Sequence, residues 1–304
     1  MAGYDSEPPS AALPKIPLRE ALRQAPESRV DSRQYVFSFA IESPAELPAD
    51  FTGLPADLGA LRAGVFLPRD EADWLGRRDY PARVLLLTGQ EVVVAAHPSA
   101  GEPLLRVPVG RVQSVECGRI LLLGWFALTW DGGRKRLCYN TRTRGPIERY
   151  MKTFKDQWLP AAPRRQPARL EAFGEPLTPK FEYARSAELL PGEAPLAQFF
   201  HPAVCQKRRW GLFRAGRRLA GDLLMATSRR ILWITERHAG QYEPYGTVSH
   251  SAPLSSIAGA SCAGIERKSE LHIVFRSGGA WHVPLGEIEA SEARKFEVAI
   301  RRIL

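Results

Sequence analysis

Short apolar runs separated by turn residues dominate the chain from residue 81 onward, which is a strand texture. Residues 83–88 (RVLLLT) and 91–95 (EVVVA) flank Gly89-Gln90, and the spacing predicts a tight hairpin. Further strand-like runs cover 104–115, 120–130 and 134–140. After Gly145-Pro146 the period changes. Ile147, Tyr150, Met151, Phe154 and Trp158 recur at helical spacing, so an amphipathic helix with Pro in its first turn is expected. Upstream, residues 35–41 (YVFSFAI) predict a short strand, and Pro and Gly recur too often over 43–68 for a long helix. That stretch is expected to run extended over an apolar surface. Residues 1–34, rich in Pro, Ser and charge, are expected to be disordered, with a short helix near 18–24. Residues 160–176 look like a linker, and Thr178-Pro179 starts a helix that ends by Pro191-Gly192. A second β-rich region then closes in a helix over 291–304, with Phe296, Ala299, Ile300 and Ile303 on one face.

The two β-rich regions can be laid over one another. Residues 83–94 match 222–233 at an offset of 139, which puts Thr88 on Thr227. Residues 108–120 match 253–265 at an offset of 145, which puts Cys117 on Cys262 and Ile120 on Ile265. Asp131-Gly132-Gly133 matches Ser277-Gly278-Gly279, and the closing helices match with Met151 on Phe296 and Trp158 on Ile303. Four blocks in one order at nearly one offset imply a duplicated unit of domain size. In the second copy, alternation places Phe275 opposite Trp281 and Ile273 opposite Val283, around a three-residue loop at 277–279. In the first copy, residues 125–130 (WFALTW) are apolar on both faces. Phe126, Leu128 and Trp130 would therefore be exposed unless the N-terminal segment or the other domain covers them; otherwise they form a partner surface.

Strands followed by one C-terminal helix, together with residues 189–193 (LLPGE), 223–227, 229–234 (RRILWI) and 253–257, resemble the pleckstrin-homology (PH) superfold, specifically its bacterial PH-like and GRAM-like members. The resemblance implies a mainly β, α+β chain. It would hold two curled antiparallel sheets or partly open barrels, each capped by an amphipathic helix. It also implies lipid, peptide or protein binding through loops and sheet edges, and no catalysis. The expected division is a disordered segment over 1–34, an extended segment packing on the first domain over 35–77, a first PH-like domain over 78–160, a linker with the start of a helix over 161–185, and a second PH-like domain over 186–304.

Composition narrows the function. The chain carries 42 Lys+Arg against 33 Asp+Glu, a net charge of +9. Residues 1–77 hold 8 basic and 12 acidic side chains, and residues 78–160 hold 13 and 7, so the basic character belongs to the body of the chain. Anionic partners follow from that charge: a membrane surface, an acidic protein or nucleic acid. The longest apolar run, 120–130, is too short for a membrane-spanning helix, and no secretory signal is visible, so a cytoplasmic protein is expected, with a peripheral place at the inner membrane face.

Between Glu193 and Asp222 no acid interrupts Lys207, Arg208, Arg209, Arg214, Arg217 and Arg218, which are interleaved with Trp210 and Phe213. This is the candidate loop for an anionic lipid, and the same interleaving admits nucleic acid as the alternative ligand. A second basic group comprises Arg134, Lys135, Arg136, Arg142 and Arg144. Five of six His fall in the second copy, and the expected register makes His272 and His282 diagonal neighbours with no third ligand in view, so neither a metal nor another cofactor is expected. Cys117 and Cys262 read as small core residues, while Cys205 lies beside cations that would lower its thiol pKa. No GxSxG, phosphate loop or dinucleotide fingerprint occurs, and a non-catalytic binding or scaffolding module is the expectation.

Overall fold

A strand that is apolar on both faces must be covered on both sides, and this requirement shapes each half of the molecule. The computed structural model describes residues 37–51, 54, 58–69, 80–161, 170–210, 213–238, 241–242, 244–265, 268–286 and 290–304. The expectations for 1–34, including the helix near 18–24, lie outside them.

The first half opens with an antiparallel sheet in the order β1 (Phe39–Ile41), β2 (Leu61–Leu67), β3 (Arg83–Thr88), β4 (Glu91–Ala96), β5 (Leu105–Pro108). Every residue of β3 is buried. Val65, Leu85, Leu87, Val92 and Val94 face one core, and Phe66, Val84, Leu86, Val93 and Ala95 face another, which Ile41, Leu47 and Phe51 close. Within the segment expected over 35–77, the described residues Ile41, Leu47 and Phe51 thus cover the outer face. The segment also contains β2, a strand not anticipated from Gly64 and the nearby prolines. Gly64 is needed there because a Cβ would lie 2.8 Å from that of Ile41 on the neighbouring strand. A single 3-10 turn (Val109–Arg111) leads to β6 (Val112–Ile120), β7 (Leu123–Trp130) and β8 (Gly133–Asn140). Helix α1 (Arg144–Trp158) then seals the inner core with Ile147, Tyr150, Met151, Phe154 and Trp158.

The stretch expected as a linker over 160–176 contains a strand within its described residues 170–176. β9 (Glu171–Gly174) pairs in parallel with β10 (Pro195–His201), and helix α2 (Pro179–Glu188) follows it. A hairpin of β11 (Val204–Trp210) and β12 (Phe213–Leu219) leads to β13 (Asp222–Thr227) and β14 (Arg230–Thr235). The two-residue strands β15 (Arg237–His238) and β16 (Gln241–Tyr242) precede β17 (Gly246–Pro253). A 3-10 turn (Leu254–Ser256), strands β18 (Ile257–Ile265), β19 (Lys268–Phe275) and β20 (Ala280–Gly286), and helix α3 (Ala290–Ile303) complete the chain. The inner faces of β10, β13 and β14 meet α3 and the β18–β20 sheet through Phe199, Leu224, Trp233, Leu271, Ile273, Phe296 and Ile300. The outer face, with Phe200, Leu223, Met225, Leu232 and Ile234, is covered by Phe181 of α2.

The chain is thus mainly β with three helices among the described residues, in several sheets, none closed into a barrel. The halves do not keep separate sheets, as had been expected. β6 pairs antiparallel with β17, Cys117 opposite Ser249, which gives one eight-stranded sheet in the order β8-β7-β6-β17-β14-β13-β10-β9. The seam is tight. Gly118 lies opposite both Trp125 and Val248, and a Cβ on it would meet the indole at 2.0 Å.

Two further expectations are corrected. The β19–β20 hairpin pairs Ile273 with Trp281 and Leu271 with Val283. The turn takes up residues 276–279, closed by the Phe275 and Gly278 amides on the Gly279 and Phe275 carbonyls, because Gly278 and Gly279 both adopt positive φ. His272 therefore lies directly opposite His282. Phe126 and Leu128, each 1 % exposed, are inner-core residues against α1 and offer no partner surface, while Trp130 is half-buried and packs against the same core. The opposite face of β7 is the one that needed cover. There Trp125 packs with Cys138 and Val248, donates to Glu116 at 2.6 Å, and lies 4.3 Å beneath the Arg136 guanidinium.

Candidate functional site

Where the halves meet, α1, α2, β6, β8, β17 and residues 189–191 enclose a cleft of about 600 Å³. Its apolar lining comes from Ile147, Met151, Leu189, Leu190 and Pro191, and its basic groups from Arg119, Arg144, Lys152 and Lys155. Lys155 is 7 % exposed and donates to Glu188 at 2.7 Å, and Ser249 of β17 donates to the other Glu188 oxygen at 2.7 Å. Burial alone would raise the Glu188 carboxyl. Lys155, Arg230 and the two hydrogen bonds outweigh it and hold the carboxyl at about 2.

Behind this pair stands a fully buried ion pair. Arg230 donates to both oxygens of Glu193 at 2.8 and 2.9 Å, to Ser251 at 2.9 Å, and to the Glu188 carbonyl. Burial works to raise the Glu193 carboxyl, but Arg230, the Leu190 amide and Thr227 bring it below its ordinary range. These charges satisfy one another, so they organise the seam without leaving a base or nucleophile free. Cys117, at the cleft wall, is pushed up to about 11 by burial, which leaves it a thiol at neutral pH. Cys262 is raised to about 12, by burial and then by Glu297.

Sequence reasoning missed the seam charges. Their signal was present in Lys155, four residues after Met151 and three before Trp158 within the apolar stripe of α1. Arg230 gave a similar signal at the head of an otherwise apolar strand.

The expected basic loop is a hairpin. Its register opposes Arg209 to Arg214, Lys207 to Gly216, Cys205 to Arg218, Arg208 to Ala215, Gln206 to Arg217, and Trp210 to Phe213. By strand alternation the positions of Lys207, Arg209, Arg214 and Arg218 fall on one side of this ribbon, and those of Arg208, Arg217, Trp210 and Phe213 on the other. Side chains over 204–219, Cys205 included, lie outside the described ones.

Most of the second basic group is engaged internally. Arg134 pairs with Glu116, Lys135 with Glu102 at 2.7 Å, Arg136 with the Trp125 ring, and Arg144 with Glu148 at 3.4 Å. Arg142 is exposed beside them. Among the described residues, no helix is long and apolar enough to cross a membrane.

A scan against protein-family models and a search of curated proteins each returned no match to this chain.

Proposed function

We propose that the chain is a non-catalytic binding module of two PH-like units in tandem that engages an anionic membrane surface through the β11–β12 hairpin. The tandem reading rests on the order of elements. Apart from the β11–β12 and β15–β16 ribbons, which are inserted in the second half, and two short 3-10 turns at 98–100 and 141–143 in the first, each half runs through four sheet strands, a 3-10 turn, three strands and a helix, from β2 to α1 and from β10 to α3. Cys117 pairs with Phe126 and Cys262 with Leu271, a common offset of 145. The Thr88 hydroxyl accepts the Gln90 and Glu91 amides, and the Thr227 hydroxyl accepts those of Arg229 and Arg230, an offset of 139 throughout.

The observation that carries the membrane reading is the hairpin itself. It is a separate two-stranded ribbon, outside the larger sheets, with six cations, no acid and an aromatic pair next to its turn. Each cation near an anionic leaflet contributes about 1 kcal/mol, and aromatic rings favour the headgroup level. Flotation with phosphatidylserine-containing vesicles tests the reading. Wild type should float and stay down with neutral vesicles, and the Arg208→Glu, Arg209→Glu, Arg217→Glu, Arg218→Glu variant should lose flotation. Equal flotation of the two would overturn it, and a salt-dependent shift of nucleic-acid probes without flotation would favour the alternative ligand.

A protein partner is the second reading, favoured by the seam cleft. Its apolar floor and basic rim suit an acidic, apolar peptide segment. Binding of such peptides that survives the hairpin variant and fails with Arg144→Glu would favour it.

A further inference from the structure

The outer face of the β19–β20 ribbon brings together two imidazoles and a carboxylate. Glu270 and His272 stand two residues apart on β19, so alternation puts them on one face, while Leu271 and Ile273 fill the core. His282 on β20 is the register partner of His272. His272 Nε2 lies 3.3 Å from Glu270 Oε2, and His282 Nδ1 lies 3.8 Å from the same oxygen. The imidazole centroids are 4.5 Å apart, and one ligand atom from each of the three residues falls within 4.8 Å of the others.

Ligand atoms about 2.0–2.1 Å from a tetrahedral ion are separated from one another by roughly 3.3–3.4 Å. The two separations to the Glu270 oxygen, 3.3 and 3.8 Å, are near that spacing, and the third stays within 4.8 Å, so small side-chain adjustments bring the three atoms to three corners of such a polyhedron. In a chain with 42 Lys+Arg, the ion-pair partners of Glu270 among the described residues are these two histidines. We propose that Glu270, His272 and His282 bind one divalent transition-metal ion of the Zn²⁺ class.

Two imidazole nitrogens and one carboxylate oxygen suit a borderline cation, and the all-oxygen preference of Ca²⁺ and Mg²⁺ argues against those ions. The His282 and Glu270 side chains are 62 % and 48 % exposed, so the remaining coordination position faces solvent and takes water or a ligand from outside the chain. The ion would also brace an irregular end of the ribbon. The register slips between Ser269 and Glu270, and Glu270 lies opposite Pro284, which has no amide to give the ladder.

The test uses the full chain without an affinity tag, stripped by a chelator and titrated with Zn²⁺ against a chromophoric competitor. One ion per chain is expected, with a Tm that rises on addition of Zn²⁺. Replacing the ligands on this exposed face should leave the metal-free Tm in place. His272→Gln and His282→Gln should each weaken binding at least about tenfold and abolish the Tm rise, whereas His97→Gln, in the other half, should do neither. In the unmodified chain, Co²⁺ should give tetrahedral-type visible bands and broaden the ring resonances of both histidines. This readout holds even where a variant fails to fold. Absence of stoichiometric binding, binding undiminished in the double variant, or Co²⁺ broadening of other histidines instead would overturn the proposal.

Discussion

The two halves meet the same physical demand with different parts. In each, the β3–β4 or β13–β14 hairpin is apolar on both faces, and α1 or α3 closes the inner one. The outer residues correspond at one offset of 139: Val84 with Leu223, Leu86 with Met225, Val93 with Leu232, and Ala95 with Ile234. Their covers are unrelated. In the first half, Ile41, Leu47 and Phe51 come from an extended segment; in the second, Phe181 comes from a helix. On the tandem reading proposed above, the difference teaches that the unit specifies its inner core and leaves its outer face to whatever chain is at hand. Strand position separates the halves further. β5 is the edge of its sheet, while β17 is flanked by β14 and β6.

That contrast is sharpest at Arg230 and its counterpart. Glu91 pairs with Arg106 at 2.6 Å on the β5 edge, with the Arg side chain 35 % exposed. At the corresponding positions stand Arg230 and Ser251, and there the Arg pairs with Glu193 at 0 % exposure. Arg230→Ala leaves a buried carboxylate without its partner, and urea unfolding should show a loss of about 3–5 kcal/mol. Arg106→Ala should cost no more than about 1 kcal/mol. Comparable losses would mean that both sites are wet and that the seam is open.

The covers give the next effect. Phe51→Ala and Phe181→Ala should each destabilise by about 3–5 kcal/mol at most, since each ring is almost wholly buried. A negligible change in either would show that the outer face of that half needs no lid.

Acid should act on the second half first. His250 stacks on Trp233 at 4.5 Å, and burial pushes it down to about 4, against the attraction of Glu116. The unfolded chain then holds more protons than the folded one. His250 thus contributes stability that is full above about pH 6.5 and lost as pH falls towards 4. Glu188 adds a second loss in the same direction, from its ordinary value of 4.5 down to about 2. The first-half counterpart of His250 is Leu105. His250→Leu should therefore flatten the stability profile between pH 6.5 and 4, as followed by denaturant midpoints; an unchanged slope would remove His250 as its source.

The smallest effect concerns the matched turns. Thr88→Val should cost about 1 kcal/mol through the amides it leaves without an acceptor. Thr227→Val should cost more, because the Thr227 hydroxyl also donates to the buried Glu193.

What could be read in the chain follows the same division. The hairpins at 83–96 and 222–235 and the closing helices were legible because period and turn chemistry are local. β2 was hidden by Gly64, a residue set by the approach of β1 and not by strand preference. The inner placement of Phe126 and Leu128 could not be separated from that of Trp125, because β7 is apolar throughout and only the seam decides which face meets which neighbour. The cleft depends on the pairing of β6 with β17, a contact between residues more than a hundred positions apart that no local pattern announces. The register of His272 and His282 was missed because two glycines allowed a longer turn than alternation alone demanded.

Amide exchange followed by NMR at residues 105–107 and 250–252 tests the comparison most directly. These are corresponding stretches of β5 and β17, one at a sheet edge and one in a sheet interior. The amides of 250–252 should exchange at the slow rate of the global core, with those of 105–107 split between slow and fast as alternate groups face β4 or solvent. Fast exchange of alternate amides in both stretches would show that β17 is also an edge, and the shared sheet on which this account depends would be contradicted.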